Sequence, residues 1–162
     1  MTFYRRNLPH IEKDEATYFI TFSTRKHFVL PDEARSIVLE HCLFENGRRV
    51  HLHAAIVMPD HVHLLMTPLH NEREEPYRLA QIMSSIKGAS AHNVNKLLGR
   101  KGSLWHAESF DRIMRSGDQL GEKILYIVEN PIAAGLSKYP DEYRWCWRES
   151  TQPGAAVLHD SL

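Results

Sequence analysis

The stretch Met58-Pro59-Asp60-His61-Val62-His63-Leu64-Leu65 decides how the rest of the chain is interpreted. His61 and His63 are two positions apart inside an apolar run, and the side chains of a β-strand alternate with a period of two. Both imidazoles therefore project from one face of a predicted strand, while Val62 and Leu64 enter the core. Such a rigid pair of nitrogen donors suits a bound divalent metal. Two hydrogen-bonded or solvent-facing histidines on an ordinary strand explain these residues equally well.

Length and composition indicate one globular domain, placed at 1–150, with a flexible tail at 151–162. Hydrophobic residues make up 43% of the chain and charged residues 25%, as is usual for such a domain. The first ten residues are too polar for a signal peptide, and no apolar run approaches the ~20 residues that cross a bilayer. We therefore expect a cytoplasmic protein without membrane contact. Cys42 and Cys146 are too few for a disulfide framework, so we expect both to be reduced.

The order of predicted elements indicates an α+β protein. Hydrophobic periodicity predicts strands at 17–24, 50–58, 61–68 and 110–115, and helices at 31–45, 77–98 and 119–130. Pro59-Asp60 is predicted to join two strands as a hairpin, and Pro131 and later Gly135 to end the last helix. This order is that of a ferredoxin-like βαββαβ fold, an antiparallel sheet with two helices on one face, followed by an added helix. The aromatic residues after 139 are predicted to pack back on the body.

The added helix offers a second group of candidate functional residues. Tyr126 and Asn130 are four positions apart and therefore share one helical face. Asn130 carries an amide oxygen that can complete a site with two imidazoles and leave positions open for phosphate, as suits Mg²⁺ or Mn²⁺. Tyr126 is a candidate nucleophile, although its phenol, with a pKa of ~10 in water, needs help to ionise. An amphipathic packing role for Tyr126 and a helix-end role for Asn130 remain open from spacing alone.

The segments 57–65 and 126–136 resemble the two signatures of the HUH single-tyrosine transposases of the IS200/IS605 class. The resemblance is closer to their REP-associated branch, because 83–88, 102–105 and 110–112 fit that branch as well. It extends over nearly the whole chain, from about Tyr18 to Trp147. It implies an HUH endonuclease fold in which the added helix carries the tyrosine.

The resemblance also implies a site and a reaction. His61 and His63 would bind Mg²⁺ or Mn²⁺ with Asn130 as third ligand, and Tyr126 would attack a single-stranded DNA phosphodiester to leave a 5′-phosphotyrosine and a free 3′-hydroxyl. The substrate would be an imperfect REP-like hairpin with a flanking tetranucleotide. Asp60 departs from the asparagine expected before the first histidine. Whether the enzyme is a monomer acting in cis or a homodimer acting in trans stays open.

Basic and aromatic residues are the candidate DNA contacts. The chain has 20 basic and 20 acidic residues, so its net charge does not indicate a polyanionic partner. Local basic clusters could nevertheless form one DNA-binding face, or simply belong to a mixed solvated surface. The DNA-contact hypothesis assigns Lys87 to the scissile phosphate, Trp105 to stacking on an unpaired base, and the remaining cations to the DNA backbone: Arg5, Arg6, Arg25, Lys26 and Arg112. Core packing for Trp105 and solvation for Lys87 are the alternatives.

Three functions are therefore compared. The first is a metal-dependent transposase that nicks and joins single-stranded DNA through Tyr126. The second is a hairpin-binding protein, derived from a transposase, that no longer cuts. The third is a nucleotide hydrolase built on the histidine cluster at His51, His53, His61 and His63. Covalent adduct formation separates the first from the second, and release of a free nucleotide would support the third.

Overall fold

The computed structural model describes residues 16–114 and 117–150. Within them lie five strands and three long helices, together with two single-turn 3₁₀ helices at Arg25–His27 and Pro140–Glu142. The elements are, in order, β1 (Thr17–Ser23), α1 (Asp32–Phe44), β2 (Val50–Val57), β3 (His61–Pro68), α2 (Leu79–Leu98), β4 (Phe110–Met114), α3 (Gly117–Ala133) and β5 (Cys146–Arg148). The predicted Arg5 and Arg6 contacts and the predicted tail at 151–162 fall outside the described residues.

The five strands form one sheet in the order β4-β1-β3-β2-β5, and every neighbouring pair is antiparallel. The first four strands in that order have the arrangement of a ferredoxin-like fold, so the predicted α+β architecture is confirmed. β3 lies at the centre of the sheet, between β1 and β2. The histidine strand is therefore fixed by hydrogen bonds on both edges.

One face of the sheet carries the main apolar core beneath α1 and α2. Tyr18, Ile20 and Phe22 alternate along β1 and are each at most 1% exposed. Phe22 packs edge-on against Trp105, with ring centroids 4.7 Å apart, and the Lys87 Nζ on α2 lies 5.8 Å from the Phe22 ring centroid. Burial of such large side chains contributes roughly 1.5–3 kcal/mol each. The two predicted helices thus share one face, as expected.

The opposite face of the sheet is covered by α3. Phe19 and Thr21 lie on this face, because side chains alternate along β1 and Tyr18, Ile20 and Phe22 point to the other face. Phe19 pairs with Leu65 of β3, and Thr21 pairs with His63. Phe19 contacts Tyr126 of α3 with ring centroids 6.0 Å apart. The histidines of β3 and the tyrosine of the added helix are therefore on the same side of the sheet.

The β2–β3 connection is the tight turn that the sequence predicts. The Met58 amide donates to the His61 carbonyl at 2.8 Å, which closes the turn around Pro59-Asp60. The carbonyl of Asp60 accepts from the Thr24 amide at 2.9 Å, and the carbonyl of Pro59 accepts from the Leu30 amide at 2.7 Å. The turn is therefore tied to the loop that follows β1.

The predicted boundary of α3 at Asn130 and Pro131 is wrong, because the helix continues to Ala133, whereas the second predicted stop signal, Gly135, agrees with the observed end. Proline has no amide hydrogen, but near the last turn this loss removes only one helical bond. The true end is a Schellman motif in which Gly135 has a φ of 76° and the Leu136 amide donates to the Pro131 carbonyl at 2.8 Å. Asn130 therefore remains helical, one turn beyond Tyr126.

The segment after α3 packs on the body, as its aromatic residues predict, and adds a strand that the sequence pattern did not indicate. The Tyr143 hydroxyl donates to the Val57 carbonyl at 2.6 Å, and the Trp145 indole donates to the Ser36 hydroxyl at 3.0 Å. β5 then extends the sheet beside β2, pairing Cys146 with Ile56. None of the helices in the described ranges has the length and hydrophobicity needed to cross a bilayer.

Candidate active site

The two histidines of β3 lie side by side on the face of the sheet that α3 covers. Their ring centroids are 4.8 Å apart and the rings are inclined at 73°. His63 is 6% exposed, whereas His61 is more open at the end of the strand. The period-two prediction for this pair therefore agrees with the geometry.

Each imidazole is oriented by an oxygen at Nδ1. The Asp60 carboxylate accepts from His61 Nδ1 at 2.8 Å, and the Thr21 hydroxyl lies 2.7 Å from His63 Nδ1. Nε2 of either ring has no hydrogen bond to any residue in the described part of the chain. Metal-binding histidines characteristically engage one ring nitrogen with a carboxylate or hydroxyl in this way and present the other nitrogen to the ion. Asp60, the departure from the expected asparagine, therefore fits an orienting role for His61.

The electrostatic environment keeps His63 neutral. Burial lowers its pKa to about 3, with further contributions from the positive charges of His61 and Lys123. The pKa of Asp60 is lowered chiefly by its hydrogen bond with His61. A neutral imidazole is the form that binds a metal, so no proton has to be displaced from His63 at neutral pH.

Tyr126 lies beside His63 and is open to solvent. The two ring centroids are 5.6 Å apart, and 48% of the tyrosine surface is exposed. Phe19 contacts both rings, since its centroid is 5.2 Å from that of His63 and 6.0 Å from that of Tyr126. The α3 helix thus brings the tyrosine of the second sequence signature to the histidines of the first.

Lys123 is a neighbour of this site that sequence reasoning missed. Its Nζ lies 4.5 Å from the Phe19 ring centroid and 5.0 Å from the Tyr126 ring centroid. The available signal was its position three residues before Tyr126, which puts both side chains on one face of a helix. Asn130 is half-buried one turn after Tyr126, and its role as a ligand stays a prediction.

A groove runs between β1 and the loop that precedes β4. It has a volume of about 670 Å³ and is lined by Thr21, Ser23, Arg25, Phe110 and the loop 106–109. Thr21, one of the lining residues, is also hydrogen-bonded to His63. Arg25 supplies a cation on its wall.

Lys87 holds the loop that lines this groove. Its Nζ donates to the carbonyls of His106 at 2.7 Å and Ala107 at 3.4 Å, and to the Ser109 hydroxyl at 3.2 Å. Burial lowers the pKa of Lys87 to about 8. The Lys87 ammonium group is thus hydrogen-bonded to the loop, and its predicted contact with the scissile phosphate stays a prediction.

Trp105 does not fit the predicted base-stacking role. The residue is 5% exposed, packs against Phe22 and donates its indole N–H to the Ser90 hydroxyl at 3.1 Å. No face of the indole is open to a nucleobase, so the core-packing alternative describes it. The apolar surface of a tryptophan favours burial when its N–H finds an acceptor.

The remaining candidate cations are exposed. Arg112 on β4 is opposite Phe19, so it belongs to the face of the sheet that carries Tyr126. Arg25 and Lys26 lie in the 3₁₀ turn after β1, and Lys26 has a φ of 54°. Of these residues only Arg25 lines the groove, and the contact of all three with DNA stays a prediction.

A second cluster, which sequence reasoning did not assemble, joins β2 to the end of β5. His51 Nε2 is 2.6 Å from Glu149 Oε1, and His53 Nδ1 contacts Glu149 Oε2. Their ligand atoms all lie within 4.8 Å of one another, close enough to hold a metal ion. The cluster does not merge with the other two histidines, because His51 pairs with Thr67, four residues beyond His63.

Residues 15–122 match the family model described as "Transposase IS200 like". The chain therefore belongs to the IS200-like transposase family. The matched range contains His61 and His63, whereas Tyr126 and Asn130 lie beyond it. The resemblance that the two signatures indicate is thus confirmed.

Comparisons with individual proteins agree with this family. A Haemophilus influenzae protein provisionally named a REP-associated tyrosine transposase is 26% identical over 87 residues, which cover 51% of this chain and 49% of the relative. The alignment thus spans about half the length of that relative. A solved structure of a REP-associated tyrosine transposase bound to a REP hairpin superposes with a TM-score of 0.67 at 20% identity, covering 90% of this chain and 82% of that chain. This likeness establishes the shared fold.

Proposed function

We propose that this protein nicks and rejoins single-stranded DNA with Tyr126 as the nucleophile, acting at REP-like hairpins. Membership of a transposase family supports a DNA-rearranging enzyme. The observation that carries the specific chemistry is the position of Tyr126, exposed to solvent with its ring centroid 5.6 Å from that of His63. The hairpin preference rests on the solved relative, which was bound to a REP hairpin.

The donor set fits the divalent metal that such chemistry requires. His61 and His63 would hold Mg²⁺ or Mn²⁺ through Nε2, and the amide oxygen of Asn130 would be the third protein ligand. The Asp60 and Thr21 contacts support this assignment, because they engage Nδ1 of each imidazole and leave Nε2 available. When bound, the ion would polarise the scissile phosphate and orient it.

Tyr126 would make the covalent bond. Its phenolic oxygen attacks phosphorus after losing its proton to solvent, a new oxygen–phosphorus bond forms, and the bond from phosphorus to the 3′-oxygen breaks. The departing 3′-oxygen takes up a proton, which leaves a free 3′-hydroxyl on one strand and a 5′-phosphotyrosine on the enzyme. Attack by a 3′-hydroxyl on that phosphotyrosine reverses the step and joins strands. Bond energy is thus conserved in the covalent intermediate.

The surrounding cations would bind the DNA. The Lys123 ammonium, 5.0 Å from the Tyr126 ring centroid, would attract a phosphate placed beside the tyrosine. Arg25 on the groove wall and Arg112 on β4 would contact the DNA backbone, which usually supplies most of the affinity. The groove of about 670 Å³ that Thr21 and Arg25 line would have room for unpaired nucleotides.

The test is an adduct assay with matched tyrosine variants. The purified protein is mixed with labelled single-stranded DNA carrying REP-like hairpins and with Mn²⁺ or Mg²⁺, then denatured. We expect a covalent adduct that requires metal and disappears in Tyr126→Phe but persists in Tyr139→Phe, since Tyr139 is 65% exposed and lies after α3. Firm hairpin binding without an adduct would instead identify a protein that binds but no longer cuts.

A further inference from the structure

We propose that His51, His53 and Glu149 form a second metal site, specific for a zinc-class ion, that fastens the chain after β5 to β2. This site is separate from the histidine pair of the proposed transposase chemistry. Its evidence is the convergence of two imidazole nitrogens and a carboxylate, together with outer contacts that orient the donors. It does not depend on the reaction proposed for Tyr126.

The three donors converge at one point. His51 Nε2 lies 2.6 Å from Glu149 Oε1, and His53 Nδ1 contacts the other oxygen of the same carboxylate. The two imidazole rings are stacked with centroids 4.5 Å apart and an interplanar angle of 26°. All three ligand atoms lie within 4.8 Å of one another, so small rotations of these side chains would place an ion between them.

An irregularity in the sheet creates this arrangement. The register between β2 and β3 shifts between Leu52 and Ala54, at the position of His53. Such bulges redirect side chains that strict alternation would hold elsewhere. His51 is paired with Thr67, and His53 Nε2 is hydrogen-bonded to the same Thr67 hydroxyl at 2.8 Å.

Outer contacts orient His53 as they orient a metal ligand. Thr67 Oγ1 is 2.8 Å from His53 Nε2 and 2.6 Å from the Thr17 hydroxyl, so a chain of hydroxyl groups engages that nitrogen. Nδ1 is consequently the nitrogen directed at Glu149. The Glu149 amide also donates to the His53 carbonyl at 2.9 Å, which fixes the carboxylate near both rings.

The donor chemistry favours zinc over the metal assigned to the first site. Two neutral imidazoles and one carboxylate form a common three-ligand set for Zn²⁺, whose fourth position is completed by water. The His53 side chain is 12% exposed and that of Glu149 20%, whereas that of His51 is 52% exposed, so water reaches one side of the cluster. Thr67, which pairs with His51, lies four residues beyond His63 on β3, or roughly 13 Å along the strand at ~3.3 Å per residue.

The position of the cluster gives the metal a structural role. β5 has three residues, and Glu149 follows it directly. Ligands from β2 and from the segment after β5 would be joined by one ion, which would reinforce the edge of the sheet. An ion that binds only the folded state raises the stability of that state.

The first experiment uses zinc binding by variants of the full chain. After removal of metal with a chelator, we expect the His61→Ala, His63→Ala double variant to bind one equivalent of added zinc per chain. Its thermal midpoint of unfolding should be higher with zinc than without it. Adding His51→Gln and Glu149→Gln should abolish both effects, whereas adding His92→Gln, an exposed histidine on α2, should not. Absence of zinc binding in the double variant, or its persistence after His51→Gln and Glu149→Gln, would overturn the proposal.

A second measurement avoids substitution in the cluster. In folded, nitrogen-labelled wild-type protein, one equivalent of zinc should shift the imidazole signals of His51 and His53. Thr67→Val should weaken this zinc binding roughly 10–100-fold, as loss of an outer contact to a metal ligand commonly does. Shifts confined to His61 and His63, or no shift at all, would show that the cluster is a hydrogen-bonded group without a metal.

Discussion

At the scale of single residues, the orientation of His61 and His63 is fixed by hydrogen bonds from neighbouring side chains. His61 and His63 are prepared for a ligand because Asp60 and Thr21 engage Nδ1 of each ring. The carboxylate of Asp60 is a stronger acceptor than the asparagine expected from the family signature, since charged acceptors form stronger hydrogen bonds. Asp60 can therefore orient His61 for metal binding even though it departs from the family signature.

Removal of the Asp60 acceptor should weaken metal binding at this pair. We expect Asp60→Leu to raise the dissociation constant for Mn²⁺ roughly 10–100-fold, because His61 loses the contact that orients it. Asp60→Asn should have a smaller effect, since its amide oxygen can still accept from Nδ1. Titration of Mn²⁺ into each variant measures both values, and equal affinity for Asp60→Leu and wild type would show that His61 needs no orientation.

Lys87 should give the folded protein a distinctive dependence on pH. Its pKa is lowered by burial to about 8 in the folded state, against 10.5 for an ordinary lysine. Between these two pH values the unfolded state binds more protons than the folded state, so Lys87 makes the free energy of unfolding rise with pH. Below pH 8 the charged, buried Lys87 destabilises the folded state to its full extent. Lys87→Met should remove that rise.

Urea unfolding at several pH values between 8 and 10.5 measures the effect. The difference in unfolding free energy between wild type and Lys87→Met should change by on the order of 1 kcal/mol in favour of wild type as pH rises, after allowance for partial exposure. The other ionising groups are common to both proteins and cancel in the difference. A difference independent of pH would show that Lys87 ionises normally in the fold.

At the scale of elements, α3 determines whether the candidate site exists. Its end is set by Gly135, whose φ of 76° an L-residue adopts only with strain, rather than by Pro131. The helix therefore keeps Asn130 in register with Tyr126. The same helix covers the sheet face that carries the histidines.

Substitution of glycines at two positions should have opposite effects on stability. Gly135→Ala should lower the free energy of unfolding by about 1 kcal/mol, because alanine is strained at positive φ. Gly88→Ala, in the middle of α2 with no atom near a new Cβ, should raise it by roughly 0.5–1 kcal/mol. Chemical denaturation compares the two, and a neutral Gly135→Ala would mean that the left-handed cap does not hold the end of α3.

The elements differ in how far local sequence could predict them. β3 occupies 61–68 as its alternation predicts, because a strand pattern is local. For α3 the sequence offered two stop signals, Pro131 and Gly135, and nothing local showed that the helix passes the first and ends before the second. β5 is three residues long and owes its conformation to β2, about ninety residues earlier, which leaves no periodic pattern to detect.

In the candidate site, too, the local features could be predicted from sequence and the tertiary contacts could not. The spacing of His61 and His63 and the helical spacing of Tyr126 and Asn130 were local features, so they could be predicted. The contact of Tyr126 with His63 is tertiary, and only the family resemblance suggested it. Trp105 is the opposite case, since its residue type suggested base stacking whereas its indole is buried and donates to the Ser90 hydroxyl.

At the scale of the whole molecule, we predict that the site forms within one chain. Tyr126 lies beside His63 of the same chain, and Phe19 contacts both rings. We therefore expect a mixture of Tyr126→Phe and His63→Ala proteins to form no DNA adduct, because neither chain holds a complete site. Adduct formation in the mixture, at protein concentrations where each variant alone is inactive, would instead show a dimer that exchanges α3 between chains.

The central claim is that Tyr126 becomes linked to DNA, and peptide mapping of the adduct tests it most directly. Protein incubated with hairpin DNA and Mn²⁺ is digested with protease and nuclease, and the nucleotide-bearing peptide is sequenced by mass spectrometry. We predict a 5′-phosphonucleotide on Tyr126 together with a free 3′-hydroxyl on the released strand. A nucleotide on another residue, a 3′-phosphate linkage, or hairpin binding with no modified peptide would contradict the account.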